Sequence, residues 1–175
     1  MSLPPDNEQF VKLIEDHKGI IYKVCNSYCT ERQYRDDLAQ EIVYQLWRSF
    51  ASFNNAMKFS TWMYRIALNV AISFYRRESK KVVVVSLSEH LMDYETSANN
   101  RNEEDPNIKL LMLFINELKA IDKSIMILYL DDKSYKEIAE ITGITESNVA
   151  TRINRIKEKI KSKFSTSKIT DHGTK

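Results

Sequence analysis

A chain of 175 residues, 43% hydrophobic and 29% charged, can bury one large core or two small ones and is too apolar for wholesale disorder. Three Gly and three Pro are too few for many short strands joined by tight turns, which leaves helices. The net charge of +2 conceals an asymmetry: residues 149–175 carry eight Lys and Arg against Glu158 and Asp171, whereas residues 79–106 carry a net −3. No apolar run reaches 18 residues, and no basic stretch followed by an apolar run opens the chain, so neither a membrane span nor a signal peptide is expected. Cys25 and Cys29, four apart with no second Cys/His pair, read as free thiols in a reducing cytosol and not as zinc ligands. No cofactor is expected.

In chain order, residues 8–29 place Phe10, Leu13, Ile14, Ile21, Val24, Cys25 and Tyr28 at helical spacing, with Gly19 marking a kink or a break. A second helix is expected from near Arg35, its buried stripe being Leu38, Ile42, Leu46 and Phe50. A loop over residues 51–58 carries Asn54-Asn55. Ser60 or Thr61 then reads as the N-cap of a long helix to about Arg77, with Met63, Ile66, Ala67, Val70 and Phe74 on its core face. Residues 79–106 break the periodicity and read as an acidic linker, in which Val82–Val85 suits a short strand or an apolar anchor. From Asn107 the helical pattern returns: Leu110, Leu111, Phe114 and Leu118 on one helix, a second capped by Asp122, then residues 134–142 and 145–164. The expected fold is all-α: a helical domain over residues 1–78, the linker, and a second helical domain over residues 107–175.

The stretch from Ser134 to Val149 has the spacing of a helix-turn-helix. Ala139 is small where two helices cross, Gly143 four positions on tolerates a left-handed turn, and Val149 six further on packs back against the first helix. Thr145 caps the second helix and Glu146 suits its positive end. Its core face is Val149, Ile153, Ile156 and Ile160. The other face offers Asn148, Thr151, Arg152, Arg155 and Lys159, short polar groups for base edges followed by cations for phosphates. The bland alternative, an antiparallel helix pair with a solvated charged face, must meet the Ala, Gly and Val spacing and the basic tail together.

On the helix after residue 60, Trp62, Arg65, Asn69, Ser73 and Arg76 lie opposite the core stripe. An aromatic among cations and an amide suits unstacked DNA, with the ring as a stacking platform; the alternative is that Trp62 merely packs on a neighbouring helix. On the preceding helix Asp37, Glu41, Tyr44 and Arg48 form a polar face. Asp36 and Asp37 in a first turn would stabilise a helix start without any partner.

These three stretches, in this order, resemble a sigma factor of the extracytoplasmic-function (ECF) group, over nearly all of Glu8 to Phe164. The segment 37–47 resembles region 2.2, which implies that Asp37, Gln40, Glu41 and Tyr44 bind the β′ clamp helices of core RNA polymerase. The segment 59–69 resembles region 2.3, which implies a pocket for a flipped base of the minus-ten element built by Phe53 and Asn69, with Trp62, Arg65, Ser73, Arg76 and Arg77 along the same DNA. The helix-turn-helix corresponds to region 4.2, which implies minus-thirty-five contacts from Asn148, Ala150, Thr151, Arg152, Asn154, Arg155 and Lys159. Ala150 and Asn154 stand where many members carry a basic residue and an aromatic, and Asp122 stands in a segment that often has Pro. The resemblance further implies the β flap of polymerase and an anti-sigma protein as partners, a cytoplasmic location and a free monomer. The competing reading is a helix-turn-helix regulator whose first domain senses a ligand or dimerises. An enzyme finds no phosphate-binding Gly loop, nucleophile motif or metal spacing, and His17, His90 and His172 are scattered.

Overall fold

The computed structural model describes residues 7–29, 31–82 and 106–170, and among them every regular element is a helix. The chain divides into two compact units, Met1–Lys109 and Leu110–Lys175.

In the first unit α1 (Asn7–Tyr28), α2 (Arg32–Phe50) and α3 (Phe59–Val82) each pack on the other two. The four-residue repeat of α2 makes the floor of the core: Leu38, Ile42 and Leu46 are fully buried. Val24, Met63, Tyr64, Ala67 and Ala71 close over them. Cys25 and Cys29 are both buried and unbridged. Burial pushes the Cys25 thiol up to about 12, with Cys29 and Asp36 adding to it against Arg35.

Three local expectations give way here. α1 runs unbroken through Gly19. A glycine inside a helix costs about 1 kcal/mol against alanine, and buried side chains on both sides of it, Phe10 before and Ile21, Val24 and Cys25 after, outweigh that. α3 starts at Phe59, so Ser60 and Thr61 lie inside its first turn; Trp62 N–H already bonds to the Lys58 carbonyl, and Thr61 is buried. α2 starts at Arg32, three residues early, which moves Asp36 and Asp37 beyond the first turn, where the helix dipole no longer accounts for them.

In the second unit α4 (Pro106–Glu117), α5 (Ala120–Leu130), α6 (Tyr135–Thr142) and α7 (Glu146–Thr170) follow one another closely, and α5, α6 and α7 pack mutually. Ile125, Leu128, Ile138, Val149 and Ile153 are fully buried between them. A second layer of Phe114, Met126 and Ile156, flanked by Leu118, Tyr129 and Ile160, attaches α4 to the lower half of α7. Lys163 also reaches Glu117 and lies over the Phe114 ring. Asp122 does not cap α5: the cap position is Lys119, without a side-chain bond, and Asp122 points to α7 instead. The expected linker loses residues 79–82 to α3 and Pro106 to α4; the rest of it, with most of the Val82–Val85 run and His90, lies outside the described residues.

Candidate nucleic-acid interface

The first polar surface is built where α2 hands over to α3. Phe53 N–H bonds to the Phe50 carbonyl, Ala56 N–H bonds to Asn54 Oδ1, and Asn55 takes a left-handed φ of 58°. This turn folds Phe53 back onto the start of α3. Its ring lies 5.1 Å from Trp62 and 5.5 Å from Phe59, and Trp62 lies 5.3 Å from Phe59 and 6.4 Å from Phe50. Phe10 and His17 of α1 extend the cluster. Trp62 is thus half-buried in a nest of rings, packed and still partly open to solvent.

Beyond the rings, Arg65, Asn69, Ser73, Arg76 and Arg77 are all exposed along α3. Arg77 lies over the Phe74 ring at 5.2 Å. Asn69, Ser73 and Arg77 line an open groove of about 380 Å³ between α3 and α2, and its other wall is Glu41, Gln45 and Ser49. Gln45 donates to Glu41 at 3.1 Å. The structure therefore brings Glu41, read in the sequence as part of a protein-binding face, into the same groove as Asn69. Asp37, Gln40 and Tyr44 stay on the exposed side of α2, where Arg48 stacks on Tyr44 at 5.7 Å.

The second surface is α7. Gly143 ends α6 at φ 74° and its N–H bonds to the Ala139 carbonyl, so the turn is the one the spacing requires. Thr145 Oγ1 accepts from Asn148 N–H at 3.3 Å and caps α7. Asn148, Thr151, Asn154, Arg155 and Lys159 are exposed, and Ala150 is half-buried. Arg152 is turned partly inward: Nη1 donates to Asp122 at 2.6 Å and Nε donates to Asn148 Oδ1 at 3.0 Å. Farther along, Lys157 donates to the Tyr129 hydroxyl at 2.6 Å and stacks on its ring, which holds the ammonium pKa above its ordinary value.

A three-helix unit with an aromatic and basic edge, followed by a helix-turn-helix, matches two family models in the same order. Residues 13–81 match Sigma-70 region 2, and residues 108–160 match Sigma-70 region 4. The ECF RNA polymerase sigma factor SigW of Bacillus subtilis (strain 168) is 32% identical to the chain over 166 residues, 89% of each protein. The chain belongs to the ECF sigma factors.

This sigma factor also shares its fold with solved relatives. CnrH, in complex with the cytosolic domain of CnrY, superposes with a TM-score of 0.66 over 93% of this chain and 91% of that one, at 17% identity. The sigma factor RpoE of Bartonella quintana, in complex with the anti-sigma factor NepR, does so with a TM-score of 0.58 over 91% and 96%, at 16% identity. It is a transcription initiation factor, and a ligand-sensing regulator is not the better account. No helix among the described residues of this sigma factor is long and apolar enough to cross a membrane, and no group of three His, Cys, Asp or Glu among them is placed to hold a metal ion.

Sequence reasoning missed two parts of these surfaces. Gln45 and Ser49 line the groove, as do Ile66 and Val70, which the sequence pattern puts on the core face and which are only half-buried; helical phase alone does not say which neighbouring helix such residues face. Ser134 and Glu137 form a reciprocal capping box at the start of α6, with Glu137 N–H on Ser134 Oγ and Ser134 N–H on Glu137 Oε2. The Ser-x-x-Glu spacing signals it plainly.

Proposed function

We propose that residues 1–78, with the four that continue α3, dock on core RNA polymerase and open the minus-ten element, that the part of the expected linker 79–106 between α3 and α4 joins the two domains, and that residues 107–175 read the minus-thirty-five element. The carrying observation is the row Arg65, Asn69, Ser73 and Arg76, exposed on α3 beside the half-open ring cluster of Phe53, Phe59 and Trp62. Unstacked bases meet an aromatic edge and a groove with an amide, while the cations hold the phosphates on either side. Asp37, Gln40, Glu41 and Tyr44 supply an acidic and aromatic face for the β′ clamp helices. Asp36 and Asp37 stand past the first turn of α2, which favours a partner over helix-dipole stabilisation as the account of Asp37. In the second unit Asn148, Ala150, Thr151, Arg152, Asn154, Arg155 and Lys159 form the minus-thirty-five surface, with the β flap as its docking partner.

The order of events follows from the costs. Duplex binding by α7 needs no distortion and comes first; unstacking costs a few kcal/mol per step and comes after both units are engaged. The factor performs no covalent chemistry. It works in the cytoplasm as a monomer until polymerase or an anti-sigma protein takes it up; of the solved relatives, RpoE was captured with the anti-sigma factor NepR and CnrH with the cytosolic domain of CnrY.

In vitro transcription with core polymerase tests this reading. A purified chain that neither binds core nor initiates at any promoter of its own genome sinks it. Asn69→Ala is expected to lower open-complex formation about tenfold, the equivalent of about 1.4 kcal/mol or one desolvated hydrogen bond, with core affinity unchanged. Equal loss of both would assign Asn69 to folding instead.

A further inference from the structure

The recognition helix carries a built-in constraint on what its first polar residue can read. Asn148 sits in the first turn of α7, its backbone fixed by the Thr145 cap. Its side chain is engaged too: Arg152 Nε donates to Asn148 Oδ1 at 3.0 Å. An Arg Nε–H can only donate, so the atom facing it must be the amide oxygen and not the nitrogen. Arg152 in turn is anchored outside its own helix, through Nη1 on Asp122 Oδ1 at 2.6 Å, thirty residues earlier in the chain. Both partners of that pair are mostly shielded, at 28% and 20% exposure, so the anchor holds in water better than an exposed ion pair would.

We propose that Asp122 is a positioning residue for base readout: by holding Arg152 it keeps the Asn148 amide oxygen on Arg152 Nε and leaves the NH2 as the group offered to a base, so that the helix prefers a base edge offering acceptors alone. The inference rests on reading α7 as the helix that enters the major groove. Bidentate recognition of adenine needs the asparagine oxygen to accept from the N6 amino group while its nitrogen donates to N7. That oxygen already accepts from Arg152 Nε here. Guanine presents N7 and O6, and thymine presents O4, all acceptors that the amide NH2 satisfies. Adenine and cytosine each present an amino donor, which must compete with the Arg152 Nε–H for that oxygen. Arg152, committed through two of its nitrogens, becomes a strut for its neighbour, and the exposed Arg155 and Lys159 are left to hold phosphates.

The test uses the full chain bound to core polymerase and a library of promoter duplexes randomised across the upstream element. Bound and unbound fractions are sequenced for the wild type, Asn148→Ala, Asp122→Ala and Asp122→Glu. The position whose preference disappears in Asn148→Ala is the one Asn148 reads. The wild type is expected to take guanine or thymine there and to disfavour adenine about tenfold. Asp122→Ala is expected to bring that ratio below about threefold by letting the amide turn over, and Asp122→Glu to restore most of it. Arg152→Met keeps the aliphatic stem, removes both hydrogen bonds and carries the same expectation should Asp122→Ala melt below the assay temperature. Adenine or cytosine at the Asn148 position overturns the proposal. So does an Asp122→Ala chain that binds every sequence more weakly with its preferences intact, which is the mark of a purely structural pair. So does the absence of any position that responds to Asn148→Ala. A wild-type chain that selects no sequence at all fails differently, because it removes the helix-turn-helix reading itself.

Discussion

The two units build the surfaces proposed to face DNA by opposite routes. In the second, almost every determinant is local: the capping box at Ser134 and Glu137, the left-handed Gly143, and the Thr145 cap all act within four residues of where they stand. α7 is aimed by its neighbours in sequence. In the first, the corresponding surface is an assembly. The rings around Trp62 come from the end of α2, the loop and the start of α3, and Phe10 and His17 join them from α1. A helix aimed by caps keeps its course when a distant contact is lost, even where a side chain on it is held from afar, whereas a surface made of converging rings depends on all of them at once.

Trp62→Ala tests that contrast most severely. It removes the shared member of three ring contacts and is expected to cost the first unit about 3 kcal/mol, read by thermal melting. A loss below 1 kcal/mol would mean that the ring is held by α3 alone. Alkaline pH separates the units next. Cys25 and Tyr64 are both pushed up to about 12 by burial, so their folded forms stay protonated while the unfolded forms ionise from about 9 and 10. Their contribution is intact below those values and is lost as pH rises towards 12, at up to about 1.4 kcal/mol per pH unit for each group. Urea midpoints of the first unit should fall from pH 9 upwards, while the Lys157 contact with Tyr129 in the second weakens only above the ordinary lysine value.

Gly143→Ala probes the opposite route. Nothing within 4 Å obstructs the added Cβ, so the cost is backbone strain alone, about 1–2 kcal/mol by urea unfolding of the second unit. A neutral result would show that the turn relaxes and that α7 is aimed by packing. Smallest is Tyr129→Phe, which deletes the hydroxyl but leaves the ring under Lys157. It should cost about 0.5 kcal/mol, visible only as a slight shift in the same unfolding curve.

The same division explains what could be read in the sequence. The core stripes of α2 and α7, the Ala139–Gly143–Val149 spacing and the Thr145 cap are periodic or local, and the structure places each where the residues imply. The errors share one cause, contacts between distant residues. Gly19 breaks no helix because burial on both sides of it decides. Thr61 is inside a helix because Phe59 packs on Phe53 and Trp62. Asp122 is no cap because Arg152, thirty positions away, takes its carboxylate. The groove that joins Glu41 to Asn69 needs the angle between α2 and α3, which no one-dimensional pattern carries.

The ring cluster has an optical consequence. The chain has two tryptophans, Trp47 and Trp62, and both stand in the first unit, Trp47 against Phe10 at 5.0 Å and Trp62 against Phe53. Intrinsic emission excited at the indole edge is therefore blind to the helix-turn-helix. It reports only the half of the molecule proposed to open DNA, and the Trp62 share of that light follows how the Phe53 loop is seated, so the native chain carries its own dye for the melting step.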